Sequence, residues 1–517
     1  MRSFPRCFSF RRIAGTSAFP SLTAILVILS GILTVLPGCS GWQKNHEAAL
    51  TAWSAGDLKT STSKLDASQS SMRAEKEMLE LDQAVLQLAA GEPAQAETRF
   101  RRVRDELEHL AQKDVTETAN SMMTDSRAVA YSGRDFERQM LLNMLMISSV
   151  LNDGQDSFAY SLQASEKTLA RRDAIASAAK KSKTETVANT NTADSTSGIA
   201  RVSFPGTPEL SDAADTRAVE IPAAPLDQPL ALSAYLTAMV QSESSSRSSE
   251  VEAALQEVKY WNPKFEQLVN GARGEMGVRC QRGNGTLHVI ALVGQAPQWV
   301  SESAEPTSAA LLIADRIISA TGKHTLPPTL ASVKIARPER VFQGVPVTAL
   351  RCSVAAPDQP GTAVTQTNFS TLVDLNEVAE ASYREHRDEE IAQAITRRVM
   401  KKGTVYVLKE TQRIHNNTWV DLGVNAAGVV WEAMEKADTR SWRTLPARID
   451  VSRCELPKGQ WNVQLSLAHY GSPQTVTIPA YVEDGRNTCV VCLIPDRSFA
   501  GHILVGGADR GKIPVKP

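Results

Sequence analysis

The stretch LDQAVLQLAAGEPAQAETRF, residues 81–100, decides how the first half of the chain is read. Leu81 to Ala90 is composed of residues that favour helix. It runs into Gly91-Glu92-Pro93, and Ala94 to Phe100 then resumes the helical composition. Glycine stops a helix by taking a left-handed backbone, and proline opens the next one in its first turn. The same grammar occurs earlier, where Ala48 to Ala55 runs into Gly56-Asp57 and helix resumes at Leu58. The two glycine turns lie about 35 residues apart. From His46 to about Arg172, Pro93 is the only proline.

That spacing resembles the helix-turn-helix period of a tetratricopeptide repeat, with Ala84, Leu88, Gly91 and Ala96 at its small or apolar positions. A third pair fits Leu141–Leu151, Asn152-Asp153-Gly154 and Gln155–Leu169. A fourth fits Leu232–Gln241 and Val251–Val258, before Asn262-Pro263. The region is either such an array or a helical bundle without true repeats. Met140, Met144 and Met146 read as packing between helices. Repeat arrays commonly bind protein segments.

The predicted organisation is a helical repeat domain over 39–172 and a linker or insertion over 173–229. A further helical pair covers 230–270, and a mixed α+β domain 271–517. The linker reading rests on the Ser, Thr and Asn of 182–197 and on Pro205, Pro208, Pro222, Pro225 and Pro229. Such composition predicts disorder. In the last part, Val278–Gln281 and Thr286–Val293 flank Arg282-Gly283-Asn284-Gly285, which predicts a hairpin. Further strands are expected at 332–335, 345–352, 405–408, 448–451, 461–468, 475–482, 489–494 and 502–505. Helices are expected from Asp374, from Asp388 and around Val429–Met434. The fold class is therefore α+β, with the helices leading.

At 517 residues the chain exceeds a single ordinary core, and its net charge of -1 gives no global attraction to nucleic acid or anionic lipid. The N-terminus carries its own signal. Arg2, Arg6, Arg11 and Arg12 precede an apolar run from Leu22 to Leu36. The order is that of an export signal, and the run is shorter than a membrane span. Leu36-Pro37-Gly38-Cys39 resembles a bacterial lipobox, in which the cysteine is lipidated and becomes the new N-terminus. Residues 1–38 are then a lipoprotein signal peptide and Cys39 is the lipidation site. A plain secretory signal or an uncleaved anchor with an incidental cysteine is the alternative, and Pro37 departs from the pattern. Ser40 in place of Asp favours the outer membrane or the periplasmic face.

Four segments carry a wider resemblance: Gly133-Arg134-Asp135-Phe136-Glu137-Arg138, Gly294-Gln295-Ala296-Pro297, Ile391–Lys402 and Ala437–Pro446. In this order they resemble a family of bacterial lipoproteins of unassigned activity, with a helical-repeat front and an α/β back. The resemblance implies an envelope lipoprotein and supplies no catalytic or ligand residue. Its one functional hint is proximity to lipoproteins that activate cell-wall synthases.

Chemical motifs are few. Cys489-Val490-Val491-Cys492 has redox spacing, but a strand would send its two thiols to opposite faces. Cys280, Cys352 and Cys454 complete the mature set, which allows one or two disulfides or free buried thiols. Gly506–Lys512 approaches a phosphate loop but continues with Ile513 rather than Ser or Thr. Arg397, Arg398, Lys401 and Lys402 form a basic helix end. Arg440, Trp442 and Arg443 bracket an aromatic with two cations, the chemistry of a partner contact or of hinge packing. No cofactor is implied. The expected function is a non-catalytic envelope scaffold or regulator with a protein partner. An envelope hydrolase with its site in the α+β part, near Arg440–Arg443 or His469, is the alternative.

Overall fold

The computed structural model describes residues 40–69, 75–121, 131–191, 225–265, 280–321, 331–341, 345–358, 363–411, 436–468, 473–508 and 510–515. Among the described residues eight helices come first: α1 (Ser40–Ser54), α2 (Leu58–Gln69), α3 (Lys76–Ala89), α4 (Pro93–Ser121), α5 (Asp135–Asn152), α6 (Ser157–Asn191), α7 (Gln228–Ser242) and α8 (Ser248–Trp261). They pack as antiparallel hairpins, α1 on α2, α3 on α4, α5 on α6 and α7 on α8. The glycine turns are built alike. Gly56 and Gly91 have φ of 78° and 77°. In each, the amide after the glycine donates to a carbonyl five residues back, Asp57 to Ala52 and Glu92 to Gln87. This closure satisfies helix-end carbonyls and requires a left-handed residue. Asp173 to Asn191 continue α6, so that part of the expected linker is helical. Of the rest, 192–224 lies outside the described residues, and 225–229 forms a 3-10 turn and the start of α7.

The sheet-rich part follows, so the chain is α+β with helices first. Its strands are β1 (Asn284–Val293), β2 (Gln298–Ala304), β3 (Val333–Glu339), β4 (Leu350–Ala355), β5 (Ala363–Asn368), β6 (Ser370–Asp374), β7 (Arg448–Pro457), β8 (Gly459–Leu467), β9 (Gln474–Val482), β10 (Asn487–Ile494), β11 (His502–Gly506) and β12 (Gly511–Pro514). Six form one sheet in the order β12-β11-β10-β1-β7-β6, and β1–β10 is its one parallel pair. A second sheet runs β5-β4-β8-β9. The pair β2–β3 packs with α9 (Ser308–Thr321) and α10 (Leu375–Thr411) around Ile318, Ile335, Ile391 and Ile395.

The central strands β1 and β10 are buried on both faces, which explains their nearly continuous apolar sequence. Ile290, Leu292, Cys489, Val491 and Leu493 face the helices and join one core with Trp53, Leu86, Phe100, Leu145 and Trp261. Leu287, Val289, Val490, Cys492 and Ile494 face the second sheet and join a core with Cys352, Val463, Leu465 and Ile478. The architecture is three layers, helices on sheet on sheet. Burying one such side chain contributes about 1.5–3 kcal/mol. The helical layer and the large sheet thus share the interior that stabilises both.

Several expectations are corrected. The residues at 405–408, read as a strand, continue α10. The helices expected from Asp374 and Asp388 are that single helix. Asp374 caps it by accepting the Asn376 amide at 2.9 Å. Glu377 does not close the capping box, because Gln228 Oε1 takes the Asp374 amide at 3.0 Å. Within the described residues, β1 pairs with β10 and β7 rather than with 280–281 of the expected hairpin. The strand expected from Val345 begins at Leu350, after a 3-10 turn. The helix expected at 429–434 lies outside the described residues.

Candidate functional site

Three of the four segments singled out in the sequence meet where the helical layer closes on the sheet. Residues 437–447 cross the helices without regular structure, turning at Arg443 and Thr444, before β7 begins. Asp82 Oδ1 accepts the Thr444 amide at 2.8 Å and the Thr444 hydroxyl at 2.9 Å. Glu137 Oε1 accepts the Trp442 amide at 2.9 Å. Two buried carboxylates, from α3 and α5, therefore grip alternate amides of one irregular segment. The Trp442 ring is 1 % exposed and packs 5.7 Å from Phe100. Arg134 donates to the Asp438 carbonyl at 3.2 Å and lies 3.4 Å above the Trp299 ring. The Ala296 amide donates to the Leu445 carbonyl at 2.7 Å.

The residues proposed from sequence as partner contacts are thus used within the chain. Trp442 is core. Arg440 is buried and chelates Asp438 with bonds of 2.8 and 2.6 Å. Arg443 donates to Glu47 at 3.2 Å and to Gln298 at 3.3 Å. Arg440 and Trp442 are both buried in the chain's own packing.

A cavity of about 240 Å³ opens beside this segment, lined by Trp42, His46, Glu75, Arg440, Ser441 and Arg443. His46 Nε2 lies 2.7 Å from Asp82 Oδ2. A serine, a histidine and an aspartate therefore gather here. A nucleophile needs its base in hydrogen-bond reach. The Ser441 hydroxyl is buried without a hydrogen-bond partner among the described residues, and Asp82 is engaged by Thr444. The arrangement holds backbone more readily than it activates serine.

The second region lies at the other end of the same interface, between the α7–α8 turn and the ends of the central strands. A cavity of about 240 Å³ is lined by Tyr235, Met239, Val251 and Leu255 from the helices and Thr286, His288, Arg453 and Asn487 from the strands. His288 and Arg453 are cross-strand neighbours on β1 and β7. Tyr235 and His288 Nδ1 are 2.6 Å apart, and His288 Nε2 is 3.2 Å from Asn487 Oδ1. Asn487 Nδ2 donates to the Met239 carbonyl at 2.6 Å, so its Oδ1 is the acceptor. His288 then donates from Nε2 and receives the Tyr235 hydroxyl at Nδ1. Burial, reinforced by Arg453, pushes His288 down to about 3. Burial pushes Tyr235 upward. Neither group changes charge near neutrality, which suits positioning rather than proton transfer.

A neighbouring cavity of about 300 Å³ shares Met239, Glu243 and Asn487 and reaches Phe158, Arg486 and Arg510. Glu243 stands between the two, accepting the Asn487 amide at 3.0 Å and pairing with Arg486 at 3.3 Å. Beyond Phe158, the outer face of α6 exposes Leu162 and Leu169, at 47 % and 58 %.

Sequence reading missed this cleft because its residues come from four distant segments. The available signal was His288, the one ionisable residue in the apolar run of β1. Other motifs find structural explanations. Cys489 and Cys492 face the two different cores, as strand geometry requires, and all five described cysteines are free. The glycine-rich C-terminal stretch lets backbones meet. A Cβ on Gly506 would press on the Val150 carbonyl, and one on Gly507 on the Asn487 carbonyl. Arg510 and Lys512 donate to the carbonyls of Asp153, at 2.7 Å, and Gly91, at 3.3 Å. Arg398 donates to the Ala331 and Ser332 carbonyls. Cys39 and His469 lie outside the described residues, as do the side chains of Lys401 and Lys402. No helix among the described residues is long and apolar enough to cross a membrane.

No protein-family model, curated protein or solved structure matches the chain.

Proposed function

We propose that this chain is a non-catalytic lipoprotein of the cell envelope, a scaffold or regulator that binds a protein partner. A lipid on Cys39 would hold it at the outer membrane or on the periplasmic face, with α1 starting one residue later. The helices are read as a tetratricopeptide-like array, supported by the matching glycine closures at Gly56 and Gly91. The observation that carries the binding reading is the cleft beneath the α7–α8 turn. Its histidine and tyrosine are fixed in neutral forms, its guanidinium meets no acceptor among the described residues, and it leads to an exposed apolar helix face. Exposed apolar side chains aligned on one helix are the usual mark of a protein contact. Phe158, Leu162 and Leu169 follow at i, i+4 and i+11, on one side of α6.

The test places a photo-crosslinking residue at Leu255 or Leu162 in the full chain, in its native cell. A control site is Leu312, exposed on α9. A discrete adduct from the cleft and α6 positions, absent from the control, supports the reading. No adduct, or the same pattern from all three, overturns it. Cys39→Ser should release the protein from membranes and abolish fatty-acid labelling while leaving its melting curve unchanged. Unaltered fractionation without any lipid label would refute the anchor.

A hydrolase reading is favoured by one observation, the gathering of Ser441, His46 and Asp82 at a cavity. It predicts covalent labelling by a fluorophosphonate that Ser441→Ala removes.

A further inference from the structure

The polar groups around the Tyr235 cavity are nearly all accounted for. Tyr235 is bound to His288, and His288 to Asn487. Asn487 also donates to Met239 and Ser242. Glu243 is taken by Arg486 and the Asn487 amide. Arg453 is different. It is partly buried, lines the cavity, and meets no acceptor among the described residues. Guanidinium groups kept from water are ordinarily matched by a carboxylate or another oxygen acceptor. The wall across from it is apolar, made by Met239, Val251 and Leu255. The other charged side chain on the lining, Glu243, is paired with Arg486, which leaves Arg453 as the cation open to a ligand.

We infer that this cavity binds a carboxylate carrying a compact apolar body, with the carboxylate on Arg453 and the body against Met239, Val251 and Leu255. This rests on the binding reading proposed above and adds the class of ligand. The volume of about 240 Å³ lies below the range of about 300–1,000 Å³ typical of drug-sized ligands. It admits one residue of leucine size and excludes a nucleotide. The same chemistry is presented by a free small acid and by the last residue of a protein chain. A chain terminus would leave its body over the adjoining cavity and α6.

The experiment is calorimetric titration of the full, detergent-solubilised chain with four probes. These are N-acetyl-leucine, its amide, a pentaalanyl-leucine peptide with a free carboxylate, and the same peptide amidated. The free acids should bind, and amidation should weaken binding about ten- to a hundredfold, the worth of a charge-assisted pair. Arg453→Gln should give the same loss without lowering the melting temperature, since no partner among the described residues is forfeited. Met239→Trp, which fills the cavity, should abolish binding of all probes. Tighter binding by the peptide acid than by N-acetyl-leucine assigns the site to a chain terminus, and the reverse order assigns it to a free acid. Equal affinity for acid and amide overturns the inference, as does no binding by the unaltered protein. The scaffold reading is separable. If Arg453→Gln still forms the cleft crosslink, the ligand class is wrong and the scaffold stands. If the acids bind but no crosslink forms, the scaffold reading falls alone.

Discussion

The Asp82 carboxylate and the Thr444 backbone are 362 residues apart in the chain and 2.8 Å apart in the structure. One oxygen of Asp82 takes both the amide and the hydroxyl of Thr444, and the other takes His46. Replacing Asp82 by Ala strands three buried donors at once. The expected loss is about 3 kcal/mol, within the range for breaking a buried charged network. Urea unfolding of the variant beside the parent measures it, and a loss below 1 kcal/mol would show that the segment is held by other means.

Two glycines with left-handed backbones separate conformation from space. Gly485 has φ of 72° with nothing near a built Cβ, so Gly485→Ala should cost about 1 kcal/mol. Gly501 has φ of 68°, and its Cβ would enter the Ala89 carbonyl. Gly501→Ala should therefore cost at least about 3 kcal/mol, because overpacking adds to strain. Equal melting temperatures for the two variants would contradict the close approach of α3 to β11.

Acid should weaken the fold through His288. Its folded value is about 3, against about 6.5 when unfolded, because burial and Arg453 oppose its charge. The unfolded chain then binds the extra proton. This contribution is complete above about pH 6.5 and is lost as pH falls through 3. Between pH 6 and 4 the group adds a slope of about 1.4 kcal/mol per pH unit. His288→Gln should reduce the measured slope by that amount, whatever its effect on stability at pH 7. Identical slopes would mean that His288 titrates normally.

Thiol reactivity should divide sharply. Burial pushes Cys352 to about 11 and Cys454 and Cys489 to about 12, and raises Cys492 as well. Cys280 is partly exposed. At pH 8 a disulfide reagent should modify Cys280 within minutes and spare those four until the protein is unfolded in urea. Fast modification of Cys489 would show that the helices part from the sheet.

The helical hairpins were legible because their punctuation is local. Gly56, Gly91 and Gly154 stop helices within the window in which their composition can be read. The strand order was not legible. The β1–β10 pairing joins residues about 200 positions apart, as His288 and Asn487 show with a separation of 199. Nothing local announces such a partner. The run from Val405 looks like strand because Val and Tyr favour it, yet it continues a helix already under way from Leu375. The short polar strands β2, β5 and β12 have little apolar alternation to read. The cleft shared that fate, since Arg453 is unremarkable until the sheet places it beside His288. The segment 437–446 was visible as unusual, but what it meets could not be seen: the helices of the same chain hold it there.

The meeting of Ala89 with His502 also sets a schedule. His502 donates to the Ala89 carbonyl across 413 residues. A ribosome adds about 5–20 residues per second. The first helices therefore wait roughly 20–80 s for the strand that floors them. During that interval Leu79, Leu86 and Phe100 have no sheet to cover them. The nascent chain should need a holding chaperone in proportion to how late β10 and β11 arrive, and slowing translation in the last third of the message should raise its aggregation.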